Sequence, residues 1–351
     1  MEQTKKIENV EENFNLNRST DKDNKSILIK RARAKYFTLG LMFGLVELKS
    51  ELKKSYWNTY YCASTIEHDG NKLKSKYCKN RWCLVCNRIR TAVNIVKYSD
   101  EVKSWGVDKY FVTLTAPTVL GEFLKNTIDE RLNVFQKIMR VFENQKIKFI
   151  GIRKLECTYR PLTNKFHPHF HCIIKGKVEA ELLLSEWLKR YPDADIRGQN
   201  VKQCDDNTVM ELFKYFTKLI SSGYDKNSDN SPGEYKRKIY INALDIVFLS
   251  IRGCRTFQSF GFKAKKIDES KIETVQVDEI CDKIQYYYWE KELSDWINKE
   301  TGEFLTGYKP SEAMKGLIDN ISNSETISKQ YGNDIEEITK QCCNNIVSIV
   351  Q

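Results

Sequence analysis

Residues 167–175 read HPHFHCIIK, and both the fold and the chemistry turn on them. Three of the chain's four histidines, His167, His169 and His171, fall within five positions. β-Branched and aromatic content predicts a strand from Pro168 to Lys175. Side chains on a strand alternate, so His169 and His171 share one face while Phe170 and Cys172 share the other. Two imidazoles at i and i+2 can share one divalent ion, or form a hydrogen-bonded structural pair. A second strand is expected over residues 149–159, FIGIRKLECTY, joined to the first by the short loop RPLTNKF. A hairpin across that loop brings Glu156 beside the histidines. Its neighbours Ile150 and Ile152 are apolar, so a carboxylate there is unusual. One carboxylate and two imidazoles, with open positions left over, suit a hard ion such as Mg2+ or Mn2+.

Working outward, residues 205–222 read DDNTVMELFKYFTKLISS. At about 100° per residue, Val209, Leu212, Phe213, Phe216, Leu219 and Ile220 form one apolar stripe of a helix. Glu211, Tyr215 and Lys218 fall on the opposite side at i, i+4 and i+7. This is either a solvated face with an incidental tyrosine, or a nucleophile (Tyr215) with a base (Glu211) and a positioning cation (Lys218). A free phenol has a pKa near 10, so it needs help to attack. A metal polarising a phosphate would supply that help.

Upstream, Cys62, Cys78, Cys83 and Cys86 are spaced C-x15-C-x4-C-x2-C. The Cys83–Cys86 knuckle lets two thiolates hold one tetrahedral zinc, with free buried cysteines as the alternative. His68 could replace Cys62. The chain has 11 cysteines, an odd number, and no apolar export signal at its start. A disulfide framework is therefore not expected, and a cytoplasmic location is. The apolar stretch at residues 36–48, YFTLGLMFGLVEL, is too short to span a bilayer and reads as a buried helix, so no membrane partner is expected.

The 351 residues carry a net charge of +10. Residues 267–351 hold 8 basic and 17 acidic residues, which leaves 49 and 30, a net +19, for the rest. That asymmetry suits a polyanionic partner. Arg81, Trp82, Arg88 and Arg90 around the cysteine knuckle form a cation-and-aromatic cluster suited to DNA backbone or bases. His167 and Lys214 are further candidate DNA-facing residues. The expected order is a mobile polar tail (1–30), a helical and cysteine-rich region (31–105), a central domain (106–265) and an acidic, mainly helical region (266–351). Within this order, residues 31–55 are expected as one helix and 56–87 as turn-rich. Another strand is expected over 240–250. The mixture predicts an α+β fold, with helices packed on a largely antiparallel sheet.

Together these motifs resemble the HUH endonuclease superfamily, named for a His-hydrophobic-His motif, here His169-Phe170-His171. FVTLT at 111–115 resembles the first motif of that superfamily, and Glu211-x-x-x-Tyr215-x-x-Lys218 its tyrosine motif. GIRKLECTY around Glu156, SIRGCRTFQSFG around Arg252, and the cysteine segment resemble plasmid rolling-circle initiators of low-GC Gram-positive bacteria. The resemblance covers roughly residues 62–261. It implies an HUH endonuclease fold with a zinc-ribbon-like segment. It also implies metal-dependent nicking of single-stranded or hairpin origin DNA by Tyr215, giving a 5′-phosphotyrosine and a priming 3′-OH. Glu156, His169 and His171 would hold the metal, and Glu211 would activate water at termination. A host helicase and polymerase would be partners. The alternatives are a relaxase or transposase of the same superfamily, and a non-catalytic nucleic-acid-binding protein.

Overall fold

The computed structural model describes residues 24–213, 221–222 and 237–322. In chain order the elements are α1 (Asn24–Glu47), α2 (Lys53–Tyr60), β1 (Thr65–Ser75), α3 (Leu84–Ser104), β2 (Lys109–Leu114), α4 (Leu124–Asn144), β3 (Gly151–Arg160), β4 (Lys165–Lys175) and α5 (Lys177–Arg190). There follow β5 (Asn200–Gln203), α6 (Asp206–Phe213), β6 (Ser221–Ser222), β7 (Arg237–Lys238), α7 (Ile241–Ser250), β8 (Phe257–Phe260), α8 (Ser270–Glu273), β9 (Val275–Glu290), β10 (Asp295–Asn298) and α9 (Glu312–Ser322). The fold is α+β, with antiparallel sheets flanked by helices.

A five-stranded sheet in the order β5-β2-β4-β3-β8 lies at the centre. The β3–β4 hairpin turns over Pro161–Thr163, and Asn164 closes it with a left-handed φ of 48°. Asparagine tolerates that conformation better than most residues. One sheet face presents Leu155, Phe166, Phe170, Cys172 and Ile174, all buried. On α4, Leu124, Ile128, Arg131, Phe135, Ile138 and Phe142 recur every three or four residues and are buried. That stripe and Trp187 of α5 cover the sheet: the Phe170 ring lies 5.5 Å from Phe135 and 5.6 Å from Trp187. On the other face, Val209, Leu212 and Phe213 of α6 and Val102 of α3 form a second core with Ile152 and Ile173. Glu156, His169 and His171 lie farther along this same face.

The second sheet, β1-β9-β10, joins segments 200 residues apart. The acidic region was expected to be mainly helical, but its longest described element is the 16-residue strand β9. Its β-branched and aromatic residues favour a strand once a partner exists, and that partner, β1, lies in the segment expected to be turn-rich. Residues 240–250 were expected as a strand and form helix α7 instead. Their apolar positions Ile241, Leu244, Val247 and Phe248 keep a helical spacing that the β-branched content obscures. Helix α1 begins at Asn24 and stops at Glu47, so the helix expected over 31–55 is two helices, and the first reaches into the expected tail. The 36–48 stretch is helical as far as Glu47 and largely buried. A Cβ at Gly40 or Gly44 would lie 2.7 or 2.6 Å from Ile318 or Ile321 of α9, which accounts for its two glycines. Among the described residues, no helix is long and apolar enough to cross a membrane.

Candidate functional site

Strand register brings the first cluster together. Glu156 stands opposite His169, and Lys154 opposite His171, on adjacent antiparallel strands. On the other side of β4, Thr113 of β2 pairs with His171. Nε2 of His169 and Nε2 of His171 are 3.2 Å apart. Oε2 of Glu156 is 3.5 Å from His171 Nε2 and 3.8 Å from His169 Nε2. Two ligands at right angles around an ion with bonds of about 2.1 Å would sit about 3.0 Å apart, close to the observed imidazole spacing. The three residues can hold a metal ion.

Their surroundings orient the ligand atoms. Nδ1 of His169 lies 2.9 Å from the His167 carbonyl oxygen, which can only accept. That hydrogen bond places the proton on Nδ1 and leaves Nε2 with its lone pair directed at the cluster. Nδ1 of His171 lies 3.3 Å from Thr113 Oγ1. Burial alone would raise the Glu156 carboxyl, but the Lys154 ammonium and His171 outweigh it and hold it well below the usual carboxylate range. Burial, followed by the charges of His169, Arg160 and Arg131, pushes His167 down to about 4. Its ring is thus neutral at pH 7, stacked on His169 with centroids 5.1 Å apart. Behind the strand, the buried Arg131 donates to the carbonyls of Pro168 and Pro117, fixing the backbone between the histidines.

The second cluster gathers four sulfurs. Cys62 Sγ is 3.5 Å from the sulfurs of Cys83 and Cys86, and Cys78 Sγ is 3.6 Å from that of Cys86. Metal–sulfur bonds of about 2.3 Å in a tetrahedron give a sulfur–sulfur distance of about 3.8 Å. All four cysteines are free, and they can hold a metal ion. Left-handed residues follow two of them, Ala63 (φ 51°) and Lys79 (φ 60°), and turn the chain around the sulfurs. The Lys79 amide donates to Cys86 Sγ at 3.2 Å. Cys83 stands at the N-cap of α3 and Cys86 in its first turn; burial pushes the Cys83 thiol up, while a hydrogen bond with Cys62 lowers that of Cys86. Hydrogen bonds from Cys62, Cys83 and Cys86 lower the Cys78 thiol. His68 is not in this cluster: it lies in β1, its Nδ1 2.9 Å from Cys281 Sγ on β9. Cys62 occupies the fourth position.

Residues 71–180 contain Cys78, Cys83, Cys86 and the complete Glu156–His169–His171 cluster, and they match the family described as Replication protein. This segment is similar to the replication-protein family. The chain is 27% identical over 159 residues to "Protein rep" of Staphylococcus aureus, covering 40% of this chain and 69% of that protein. It is 30% identical over 123 residues to "Protein rep" of a Bacillus species, covering 32% and 39%. It is 28% identical over 154 residues to "Protein rep" of Streptococcus pneumoniae, covering 39% and 47%. The chain thus spans less than half of the latter two. No solved structure matches it.

The other candidate residues lie partly within the matched segment and partly after it. Glu211 lies in α6, while Lys214, Tyr215 and Lys218 lie outside the described residues. Arg81 donates to the carbonyls of Ile251 and Cys254. Trp82 packs edge-on against Tyr56, with centroids 5.6 Å apart. Burial, followed by the charges of Arg31 and Arg33, pushes Arg88 down to about 9. Arg90 donates to Asn87 and to the Lys79 carbonyl. The Arg81 and Trp82 contacts knit the cysteine segment to the rest of the protein. Sequence reasoning passed over Lys154, whose Nζ is 2.5 Å from Glu156 Oε1. The signal was present: Lys154 is two residues before Glu156, hence on the same face.

Proposed function

We propose that the chain is a plasmid rolling-circle replication initiator of the HUH endonuclease type, nicking one strand of origin DNA. The observation that carries this reading is the register of β3 against β4, which gathers Glu156, His169 and His171 on one sheet face within the replication-protein segment. Tyr215 is the nucleophile. Its phenolic oxygen bonds to the scissile phosphorus, the bond from phosphorus to the 3′ oxygen breaks, and that oxygen leaves as a 3′-OH with a proton. The strand bearing the 5′-phosphate stays on the tyrosine, and the 3′-OH primes synthesis. Glu156, His169 and His171 would hold Mg2+ or Mn2+, which would polarise the phosphate and offset its developing charge. Lys218 positions the phosphate. At the end of a round, Glu211 takes a proton from water, the water oxygen bonds to the second scissile phosphorus, and the bond from that phosphorus to its 3′ oxygen breaks, releasing a 3′-OH with the proton. The four cysteines would hold a structural zinc in a zinc-ribbon-like segment.

The net +19 of residues 1–266 supports single-stranded or hairpin origin DNA as the partner. A host helicase and polymerase belong to the same reading. Nicking of a supercoiled plasmid carrying the cognate origin, with the divalent metal omitted and then restored, tests it. Open circles are expected only with metal, and nicking that ignores a chelator contradicts the metal role. Replacing Glu211 with alanine should leave the first cleavage and impair termination.

A further inference from the structure

The geometry points to a second nucleic-acid site: we propose that the exposed face of α2 is a platform on which bases of single-stranded DNA stack. This rests on the proposed origin-DNA function. The helix reads KKSYWNTY and continues into Tyr61. Its buried side is ordinary, with Leu52, Tyr56 and Thr59 turned into the core. Its outer side is not. Trp57, Tyr60 and Tyr61 are 41%, 39% and 66% exposed, although large aromatic surfaces are normally withdrawn from water. At about 100° per residue, Lys53, Trp57, Tyr60 and Tyr61 fall within one third of a turn, with Lys54 at its edge. The rings meet edge to face: Trp57 and Tyr60 at 6.3 Å and 65°, Tyr60 and Tyr61 at 5.3 Å and 80°. Tyr60 is flanked by both neighbours and by the Lys35 ammonium, 5.9 Å from its centroid, so the exposed surfaces of Trp57 and Tyr61 are the ones offered to a planar partner.

Charge selects the occupant. Lys49, Lys53 and Lys54 are all exposed, and no described acidic group pairs with any of them. Glu51, the carboxylate between them, is turned to Arg252 at 3.4 Å. Aromatic faces among unopposed ammonium groups match bases and phosphates together. They match an apolar protein surface poorly, since the lysines would be desolvated. The platform is also fixed in place. The buried Lys35 of α1 donates to the carbonyls of Tyr60 and Cys62, at 2.5 and 2.7 Å, tying the end of α2 to the first cysteine of the cluster. Rigid aromatic side chains lose little entropy on binding, so a preset face is suited to stacking.

The test is fluorescence anisotropy of a labelled dT15 with the full-length protein, run beside the plasmid-nicking assay. Trp57→Ala/Tyr61→Ala should weaken dT15 binding at least about tenfold, while Trp57→Phe/Tyr61→Phe stays within about twofold of wild type. Lys53→Gln/Lys54→Gln should weaken binding and flatten its salt dependence. Both aromatic positions are exposed, so circular dichroism should be unchanged. Unaltered dT15 affinity in the alanine variant overturns the platform, and does so whether or not the protein nicks. The same holds if that variant only changes self-association in sedimentation. Platform-dependent dT15 binding by a protein that never nicks its origin supports the platform and overturns the endonuclease reading instead.

Discussion

The Lys154 ammonium lies 2.5 Å from Oε1 of Glu156, while Oε2 of the same carboxylate faces the two histidines. One oxygen is thus held by the protein, and the other is placed where the cluster could hold a metal ion. Outer-shell hydrogen bonds of this kind fix a ligand's orientation, and their loss typically costs ten- to a hundredfold in metal affinity. A cation so close to a metal also repels it, but Lys154 sits on the far oxygen. Orientation is therefore expected to outweigh repulsion. Lys154→Met should raise the Mn2+ concentration for half-maximal nicking about tenfold, as read from a metal titration of plasmid cleavage. An unchanged or lower requirement would mean that repulsion dominates.

Arg131 braces the histidine strand from behind through the carbonyls of Pro168 and Pro117. Charged hydrogen bonds contribute about 1.5–3 kcal/mol each, and two buried carbonyls would lose their donor together. Arg131→Met should cost about 2–4 kcal/mol in urea unfolding. Arg131→Lys, which can reach one carbonyl but not fork to both, should recover about half. A methionine variant as stable as wild type would remove the bracing role.

The cysteine cluster ties the start of α3 to the segment between α2 and β1, so its loss should be felt in folding. Cys83→Ser should abolish bound zinc in elemental analysis and lower stability by more than about 2 kcal/mol. Chelation of wild type should lower its melting temperature to about that of the variant. Carefully purified protein without zinc, melting as the variant does, would contradict the zinc reading.

The parts legible in sequence were those set by local periodicity. The alternation of HPHFH placed His169 and His171 together, and a seven-residue loop sufficed to place Glu156 beside them. The C-x2-C spacing likewise marked the Cys83–Cys86 knuckle. Strand β9 was missed because its stability comes from pairing with β1, about 200 residues earlier, a contact that no local pattern encodes. Helix α7 was misread because Ile and Val suit either structure and only tertiary packing chooses. Arg81 and Trp82 looked like a DNA-contact cluster. Their side chains also meet the Ile251–Cys254 turn and Tyr56, partners invisible from composition.

On the proposed reading, a tyrosine nucleophile is served by a two-histidine, one-carboxylate centre. The most direct measurement is capture of a covalent adduct on a labelled origin oligonucleotide, resolved by denaturing gel. Wild-type protein with Mn2+ should give a shifted, protease-sensitive band. Tyr215→Phe should give none, and His169→Ala/His171→Ala should lower it at least about a hundredfold. An adduct of wild-type yield from Tyr215→Phe would contradict the account.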